Sequence, residues 1–131
     1  MVDDESLISA AIEARQHAYC PYSGFAVGAA LVSRDGVVFR GCNVENLSFG
    51  LTVCAERSAV FNAITQGHRK FLRIAIVADT EVPISPCGAC RQVLAEFSDL
   101  RVILATLTGR REIFSLGELL PRAKEGILDL P

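Results

Sequence analysis

Residues 74–105, IAIVADTEVPISPCGACRQVLAEFSDLRVILA, decide the fold class of this chain. The stretch places a short apolar strand at 74–78, a helix that Pro86 can open and that runs to about Phe97, and a second apolar strand at 102–105. A strand, a crossover helix and a second strand normally pack as a right-handed parallel unit. This segment therefore predicts a parallel pair of strands.

Apolar periodicity on the amino-terminal side of this unit predicts two further helices. The apolar residues that follow Asp3 and Asp4 recur at helical spacing toward Ala18 and predict a first helix. Residues 54–66 show the same spacing, and Gly67 provides a left-handed stop for a second helix.

The remaining segments have the character of strands. Runs at 25–33 and 37–43 flank Arg34-Asp35-Gly36, whose Asp-Gly step favours a hairpin, so we expect antiparallel neighbours. A β-like piece at 112–115 and a short helix at 116–120 follow. The elements together predict an α/β fold, a three-layer α/β/α sandwich with a mixed sheet of about five strands. We expect residues 1–131 to form a single domain.

Composition and charge exclude several classes of function. A net charge of -2 over 131 residues leaves no excess of Lys or Arg to hold a phosphate backbone, so we expect no nucleic-acid partner. The acidic start, Met1 to Glu5, is unlike a signal peptide, and no apolar run approaches the roughly 20 residues that span a bilayer. We therefore expect a cytoplasmic protein with no membrane partner. Five cysteines, an odd number, indicate reduced thiols available for metal binding rather than a disulfide framework.

Two short cysteine motifs indicate the chemistry. CAE at 54–56 and PCGAC at 86–90 place three thiols at the first turns of two predicted helices, where the helix dipole and free N–H groups favour thiolates. Three such ligands suit a tetrahedral zinc whose fourth position stays open for water, whereas a closed structural site normally recruits four. We predict one zinc ion per chain, bound where the two helix starts converge at one edge of the sheet.

Glu56 stands two positions after Cys54 and is predicted to reach past the metal to its water as a proton carrier. Two alternatives exist: a first-turn Glu is commonly only a partner of the helix dipole, and a Cys-x-x-Cys can be a redox pair. The position of Glu56 beside Cys54 favours the catalytic role over the first. A redox pair would need a thioredoxin-like strand before it, but Pro86 directly precedes Cys87, so the metal site is favoured over the second. No role in the site is assigned to the isolated residues Cys20, Cys42, His17 and His68.

Four motifs, in this order and spacing, resemble the small homotetrameric cytidine deaminases. They are YCPYSGFAVGAAL (19–31), GCNVEN (41–46), CAER (54–57) and SPCGACRQ (85–92). The resemblance covers most of the chain and implies zinc ligation by Cys54, Cys87 and Cys90, with Glu56 as the proton shuttle. In zinc deaminases, metal-activated water attacks C4 of cytosine while a Glu that is not a ligand moves the protons.

The resemblance also implies the substrate contacts and the assembly. Phe25 is expected to pack against the base, Asn43 and Glu45 to hydrogen-bond to the ribose hydroxyls, and Arg57 to offset thiolate charge. Further substrate contacts are expected from Leu47, Phe49 and Ala55. A homotetramer would place the active sites near subunit interfaces.

The sequence departs from the family pattern near the substrate. Phe49 stands where relatives commonly carry Tyr, and Leu47 replaces a smaller residue. Lys124 occupies the position at which a neighbouring subunit often lends an aromatic residue to stack on the base, and Ile127 and Leu128 could supply apolar surface there instead.

Three functions follow from these observations. The main prediction is zinc-dependent deamination of cytidine and deoxycytidine to uridine and deoxyuridine with release of ammonia, a step of pyrimidine salvage. The first alternative is a deaminase of a modified cytosine nucleoside such as blasticidin S. The second is a noncatalytic zinc-stabilised binding module, which would have no need of Glu56.

Overall fold

The structure, a computed structural model, describes residues 2–126 as five strands and their flanking helices. In chain order the elements are α1 (Asp4–Arg15), β1 (Val27–Ser33), β2 (Val38–Cys42), a 3-10 turn (Phe49–Leu51), α2 (Ala55–Thr65), β3 (Phe71–Ala78), α3 (Gly88–Phe97), β4 (Arg101–Thr106), β5 (Arg111–Ser115) and α4 (Leu116–Leu119). Ile127 and Leu128 lie outside the described residues. Between residues 2 and 126, no helix has the length and apolar character needed to cross a membrane.

The sheet is mixed, with strand order β2-β1-β3-β4-β5. β3 and β4 are parallel, and the pairs β1–β2, β1–β3 and β4–β5 are antiparallel. The predicted crossover unit, the predicted hairpin and the mixed five-stranded sheet are therefore confirmed.

Two apolar cores lie on opposite faces of this sheet. On one face α1 buries Leu7 and Ala11 against Val32 and other strand residues. On the other face α2 and α3 bury Ala59 and Leu94 in a second cluster with the strands. The alternation of side chains along each strand supplies both faces, which confirms the three-layer α/β/α sandwich.

The observed bounds differ from the predicted ones where tertiary contacts decide them. β3 begins at Phe71 instead of residue 74, because the end of β1 pairs with it, Val32 with Arg73 and Ser33 with Phe71. β1 begins at Val27 instead of Phe25, because the Asn43 amide occupies the Val27 N–H and the Phe25 carbonyl. The 3-10 turn lies between β2 and α2, in a segment for which the sequence analysis predicted no helix or strand.

Two glycines of the β1–β2 hairpin let helices approach the strand backbone closely. A Cβ on Gly41 would collide with Ala55 O and Ala59 N of α2 and would lie 2.9 Å from Ala59 Cα. A Cβ on Gly28 would collide with Ala11 O of α1 and would lie 2.8 Å from Arg15 Cβ. Since real Cβ atoms do not approach so closely, the hairpin packs backbone to backbone against a helix on each face.

Candidate metal centre and active site

Three cysteine sulfur atoms meet where the starts of α2 and α3 converge. Cys54 is the N-cap of α2, Cys87 is the N-cap of α3, and Cys90 is buried in the first turn of α3. Their Sγ atoms all lie within 4.8 Å of one another and could hold one metal ion. The Cys87 and Cys90 sulfurs are 3.2 Å apart, and Cys90 N–H donates to Cys87 Sγ at 3.4 Å.

The charges around the cluster favour a thiolate. Hydrogen bonding from Cys90, with help from the Arg57 guanidinium, lowers the pKa of Cys54 to about 5 despite partial burial. The same Cys90–Cys54 hydrogen bond raises the pKa of Cys90. Arg57 Nη2 donates to Cys54 Sγ at 3.4 Å and to Thr52 O at 3.3 Å. A soft, partly ionised trio of sulfurs with a cation beside it suits zinc.

Glu56 lies beside this cluster and is almost fully buried, with 5% of its surface exposed. Burial raises the pKa of its carboxyl, and the charge of Cys54 acts in the same direction. A carboxyl group whose pKa is moved upward toward neutrality can both accept and release a proton under physiological conditions. The Glu56 carboxyl group therefore has the chemistry that proton transfer beside the cysteine cluster would need.

Cys54 and Cys87 of the cluster, together with Glu56, open onto one cavity of about 280 Å³. Its lining residues are Ser23, Phe25, Val27, Asn43, Glu45, Phe49, Thr52, Cys54, Ala55, Glu56, Ile84, Ser85 and Cys87. The wall combines aromatic and aliphatic groups with polar groups. Such a cavity suits a small molecule with a flat ring and a hydroxylated portion.

Intramolecular hydrogen bonds fix two polar residues of the cavity wall. Asn43 Oδ1 accepts from Val27 N–H at 2.9 Å, and Asn43 Nδ2 donates to Phe25 O at 2.8 Å. Glu45 accepts from the N–H groups of Tyr22 and Ser23 and from the Ser23 hydroxyl. The Ser23 hydrogen bonds lower the pKa of Glu45, so this buried carboxylate stays ionised and correctly oriented.

Comparison with known proteins identifies the family of this chain. The sequence model of the family "Cytidine and deoxycytidylate deaminase zinc-binding region" matches residues 1–106, a span that contains the three cysteines and Glu56. The chain belongs to the cytidine and deoxycytidylate deaminase family. The family likeness predicted from the four motifs is confirmed.

Individual deaminases of this family align along nearly the whole chain. The cytidine deaminase of Halalkalibacterium halodurans is 53% identical over 124 residues, covering 93% of this chain and 94% of that relative. The cytidine deaminase of Sporosarcina psychrophila is 51% identical, with 93% and 91% covered. A crystal structure of cytidine deaminase from Burkholderia pseudomallei superposes with a TM-score of 0.89 at 52% identity, covering 92% of this chain and 98% of that one.

Membership of a zinc-binding deaminase family makes the chain a zinc-dependent enzyme of the hydrolase class. The cluster of three cysteines supplies the donor atoms that such a family needs. An enzyme is thereby supported over the noncatalytic zinc-stabilised module considered from the sequence.

Not every residue predicted for the deaminase site lies at this cavity. Phe25, Asn43, Glu45, Phe49 and Ala55 all line it. Leu47 is not among the lining residues, and 86% of its surface is exposed. It lies in the loop between β2 and the 3-10 turn. Lys124 lies beside the carboxyl-terminal end of α3, where its Nζ is 3.7 Å from the Glu96 carboxylate.

Two residues at the site were not singled out from the sequence. Ser23 fixes Glu45, and Arg91 bonds to the loop that carries Cys87. Both residues belong to the motifs that resemble the deaminases, which was the available signal. Glu45 is 22 residues from Ser23, and Leu119 is 28 residues from Arg91. At such separations no local sequence pattern could reveal the contacts.

Proposed function

We propose that this chain hydrolyses the exocyclic C–N bond of cytidine and deoxycytidine, giving uridine or deoxyuridine and ammonia. The observation that carries this proposal is a cluster of three cysteines, two of which, Cys54 and Cys87, line one cavity together with the buried Glu56. The wall of that cavity also holds Asn43 and Glu45. Relatives that are named cytidine deaminase and share 53% and 51% identity support the same substrate. The catalytic unit is proposed to span residues 1–131.

We assign the metal to Cys54, Cys87 and Cys90, at one zinc ion per chain. When bound there, zinc supplies the Lewis acidity that makes water nucleophilic near neutral pH. Three thiolates outweigh the charge of Zn²⁺ and would weaken that acidity. The Arg57 guanidinium beside Cys54 and the N–H groups of two helix starts offset the excess negative charge.

Glu56 carries the protons in this proposal. Its carboxylate accepts the proton of the attacking water, delivers it to N3 of the pyrimidine ring, and later assists departure of ammonia. Only 5% of the Glu56 surface is exposed, which limits the contact of its carboxyl group with bulk water. The raised pKa leaves the carboxyl able to serve as both acid and base.

The cavity wall selects a nucleoside. Phe25 and Phe49 offer aromatic faces to the base, and Ala55 lies beside Glu56 at the reacting end. Asn43 and Glu45 offer hydrogen-bonding groups to the ribose hydroxyls, and their fixed geometry lowers the entropy lost on binding. These contacts favour a nucleoside over a free base.

The test is to mix purified, zinc-loaded protein with cytidine and with deoxycytidine. We expect loss of the cytosine absorbance together with release of one ammonia per nucleoside consumed. Free cytosine should react poorly because it lacks the ribose. Turnover of a modified cytosine nucleoside such as blasticidin S, with none of cytidine or deoxycytidine, would contradict the proposal.

We also propose that the chain assembles as a homotetramer in the cytoplasm, with active sites near the subunit interfaces. Leu47, Phe49 and Leu51 are 86%, 57% and 69% exposed within one loop beside the cavity, an apolar surface that a second copy could cover. All five cysteines are free, which suits a reducing compartment. Light scattering at micromolar concentration should give the mass of four chains, and the mass of one chain would contradict the assembly.

Lys124→Phe should lower KM for cytidine and leave kcat nearly constant. The structure places Lys124 away from the cavity of its own chain, so any effect requires that a neighbouring subunit bring it to the base. Stacking of a base on an aromatic ring contributes about 1 to 3 kcal/mol in nucleic-acid binders, and it changes little between ground and transition states. The measurement is the steady-state kinetics of this variant, with Arg122→Phe on the same exposed turn as the control. Equal KM values in Lys124→Phe and the unmodified enzyme would show that position 124 does not face the base.

Ser23→Ala should raise KM for cytidine by roughly three- to tenfold, because the variant loses the hydroxyl that orients Glu45. The hydrogen bond from the Ser23 hydroxyl is the main cause that lowers the pKa of Glu45, so its loss moves that pKa upward even though the N–H groups of residues 22 and 23 still donate to the carboxylate. Glu45 would then be protonated at a higher pH, and the rise of KM on the acid side would also begin at a higher pH. KM measured against pH checks this, with Ser9→Ala on the exposed face of α1 as the control. An unchanged KM profile would contradict the role of Ser23.

A further inference from the structure

Arg91 bridges three separate parts of the chain beside the metal centre. It follows Cys90 directly in α3 and is half-buried. Its Nε donates to Pro86 O at 2.8 Å, its Nη2 to Ser85 Oγ at 2.7 Å, and its Nη1 to Leu119 O at 2.7 Å. We call this set of hydrogen bonds the Arg91 clamp.

Two bonds of the Arg91 clamp fix the approach to Cys87. Ser85 and Pro86 are the two residues immediately before Cys87, and Pro86 is buried and has a carbonyl but no N–H to satisfy. The guanidinium ties both of them to the helix that carries Cys90. The position of Cys87 is therefore held on both sides, by the clamp before it and by the Cys90 N–H on its sulfur.

The third bond joins the metal loop to the carboxyl-terminal segment. Leu119 is the last residue of α4, where helical carbonyls lack intrahelical partners and a cation is favoured. The next residue of α3, Gln92, donates from Nε2 to Ala123 O at 3.1 Å. Consecutive residues of α3 thus attach both α4 and the turn that follows it.

The geometry of the clamp is specific for arginine. Its acceptors are two carbonyl oxygens and one hydroxyl in three directions, and the planar guanidinium offers five N–H donors in a fixed arrangement. A lysine ammonium is a single compact centre at the end of a flexible stem and cannot reach all three acceptors together.

We propose that Arg91 is a positioning residue for the metal centre, which sets the placement of Cys87 relative to Cys90 and couples it to the end of α4. The inference rests on the proposed function only in that the zinc centre serves the deamination. Arg91 does not touch the substrate cavity, whose lining includes Ser85 and Cys87 but not Arg91. It acts through the residues it holds.

Zinc affinity and cobalt spectra of Arg91→Gln and Arg91→Lys test the proposal without any substrate. Partners that orient metal ligands typically contribute 10- to 100-fold to metal affinity, so we expect Arg91→Gln to bind zinc about 10- to 100-fold more weakly in competition with a chromophoric chelator. Arg91→Lys should lie between this variant and the unmodified protein. In Arg91→Gln the cobalt–thiolate absorption should also shift, because the sulfur geometry changes. Arg122→Gln, which removes an exposed arginine ion-paired with Glu125, should match the unmodified protein in both measurements.

Unchanged zinc affinity with an unchanged cobalt spectrum in Arg91→Gln would overturn the proposal, even if the melting temperature fell, because the clamp would then be structural only. If Arg91→Gln does not fold, Ser85→Ala removes one acceptor of the clamp and should weaken zinc binding by a smaller factor. Full zinc affinity in that variant would likewise overturn the proposal. A protein that shows the expected metal effects but does not turn over cytidine would contradict the proposed function and leave the role of Arg91 intact.

Discussion

Glu56→Gln is expected to retain the fold and the zinc ion and to lose most of its turnover of cytidine. The amide keeps the shape of the side chain but can neither accept the water proton nor deliver it to the ring. General acid–base groups contribute roughly 10²- to 10⁴-fold to rates, and Glu56 is proposed to act in more than one transfer, so kcat should fall by at least about 100-fold. The measurement is kcat at saturating cytidine, with zinc content determined on the same sample.

The matched control for this prediction is Glu112→Gln, which makes the same change on the exposed surface of β5 and should leave kcat unaltered. Thermal unfolding adds a second check. Burial raises the pKa of Glu56 because the charged form is disfavoured inside the protein. At pH values above the pKa of an unfolded glutamate, this carboxyl group therefore lowers stability, and Glu56→Gln should not reduce the melting temperature of the metal-free protein. Near-normal turnover by Glu56→Gln would remove Glu56 from the mechanism.

Cys87→Ala is expected to lose zinc, and turnover with it. The substitution leaves two sulfurs of a cluster whose three members lie within 4.8 Å of one another. Zinc-finger peptides bind structural zinc with about 10 to 16 kcal/mol, shared among four ligands, so removal of one ligand here should weaken zinc binding by at least about 100-fold. Metal analysis after dialysis against a weak chelator provides the measurement.

The chain offers its own control for this substitution. Cys20 is a free thiol like Cys87, but it is half-buried and does not belong to the cluster. Cys20→Ala should keep one zinc ion per chain and ordinary activity. A full zinc complement in Cys87→Ala would place the metal site elsewhere.

The order and type of the secondary structure elements were predictable because they depend on local patterns. The β-rich runs of the β1–β2 hairpin and the Asp-Gly step between its strands need no knowledge of the rest of the fold. The crossover helix between β3 and β4 then predicts that the two strands are parallel, as observed. The exact strand ends were not predictable, because the Asn43 amide and the β1–β3 pairing, which accompany them, join residues far apart in sequence.

The convergence of the cysteines was predictable from chemistry rather than from periodicity. Cys54 and Cys87 are 33 positions apart (87 minus 54), yet a metal requires its ligands to share one place. That requirement predicts that the starts of α2 and α3 lie close together, as they do in the structure. No comparable chemical requirement acts on the Arg91 clamp or on the exposed position of Leu47, so neither could be predicted from the sequence. The assigned roles of individual site residues remain predictions for the experiments above.

The close packing at Gly28 and Gly41 bears on how this protein can be re-engineered. At these two positions the helix backbone contacts the strand backbone directly. The distance between helix and sheet there does not depend on the rotamers of neighbouring side chains. Volume-conserving exchanges among the surrounding aliphatic residues should therefore be tolerated while the start of α2 stays in place. A thermostable version could be sought by redesigning both cores at once, with the two glycines kept as fixed spacers and Cys54 and Glu56 carried along unchanged.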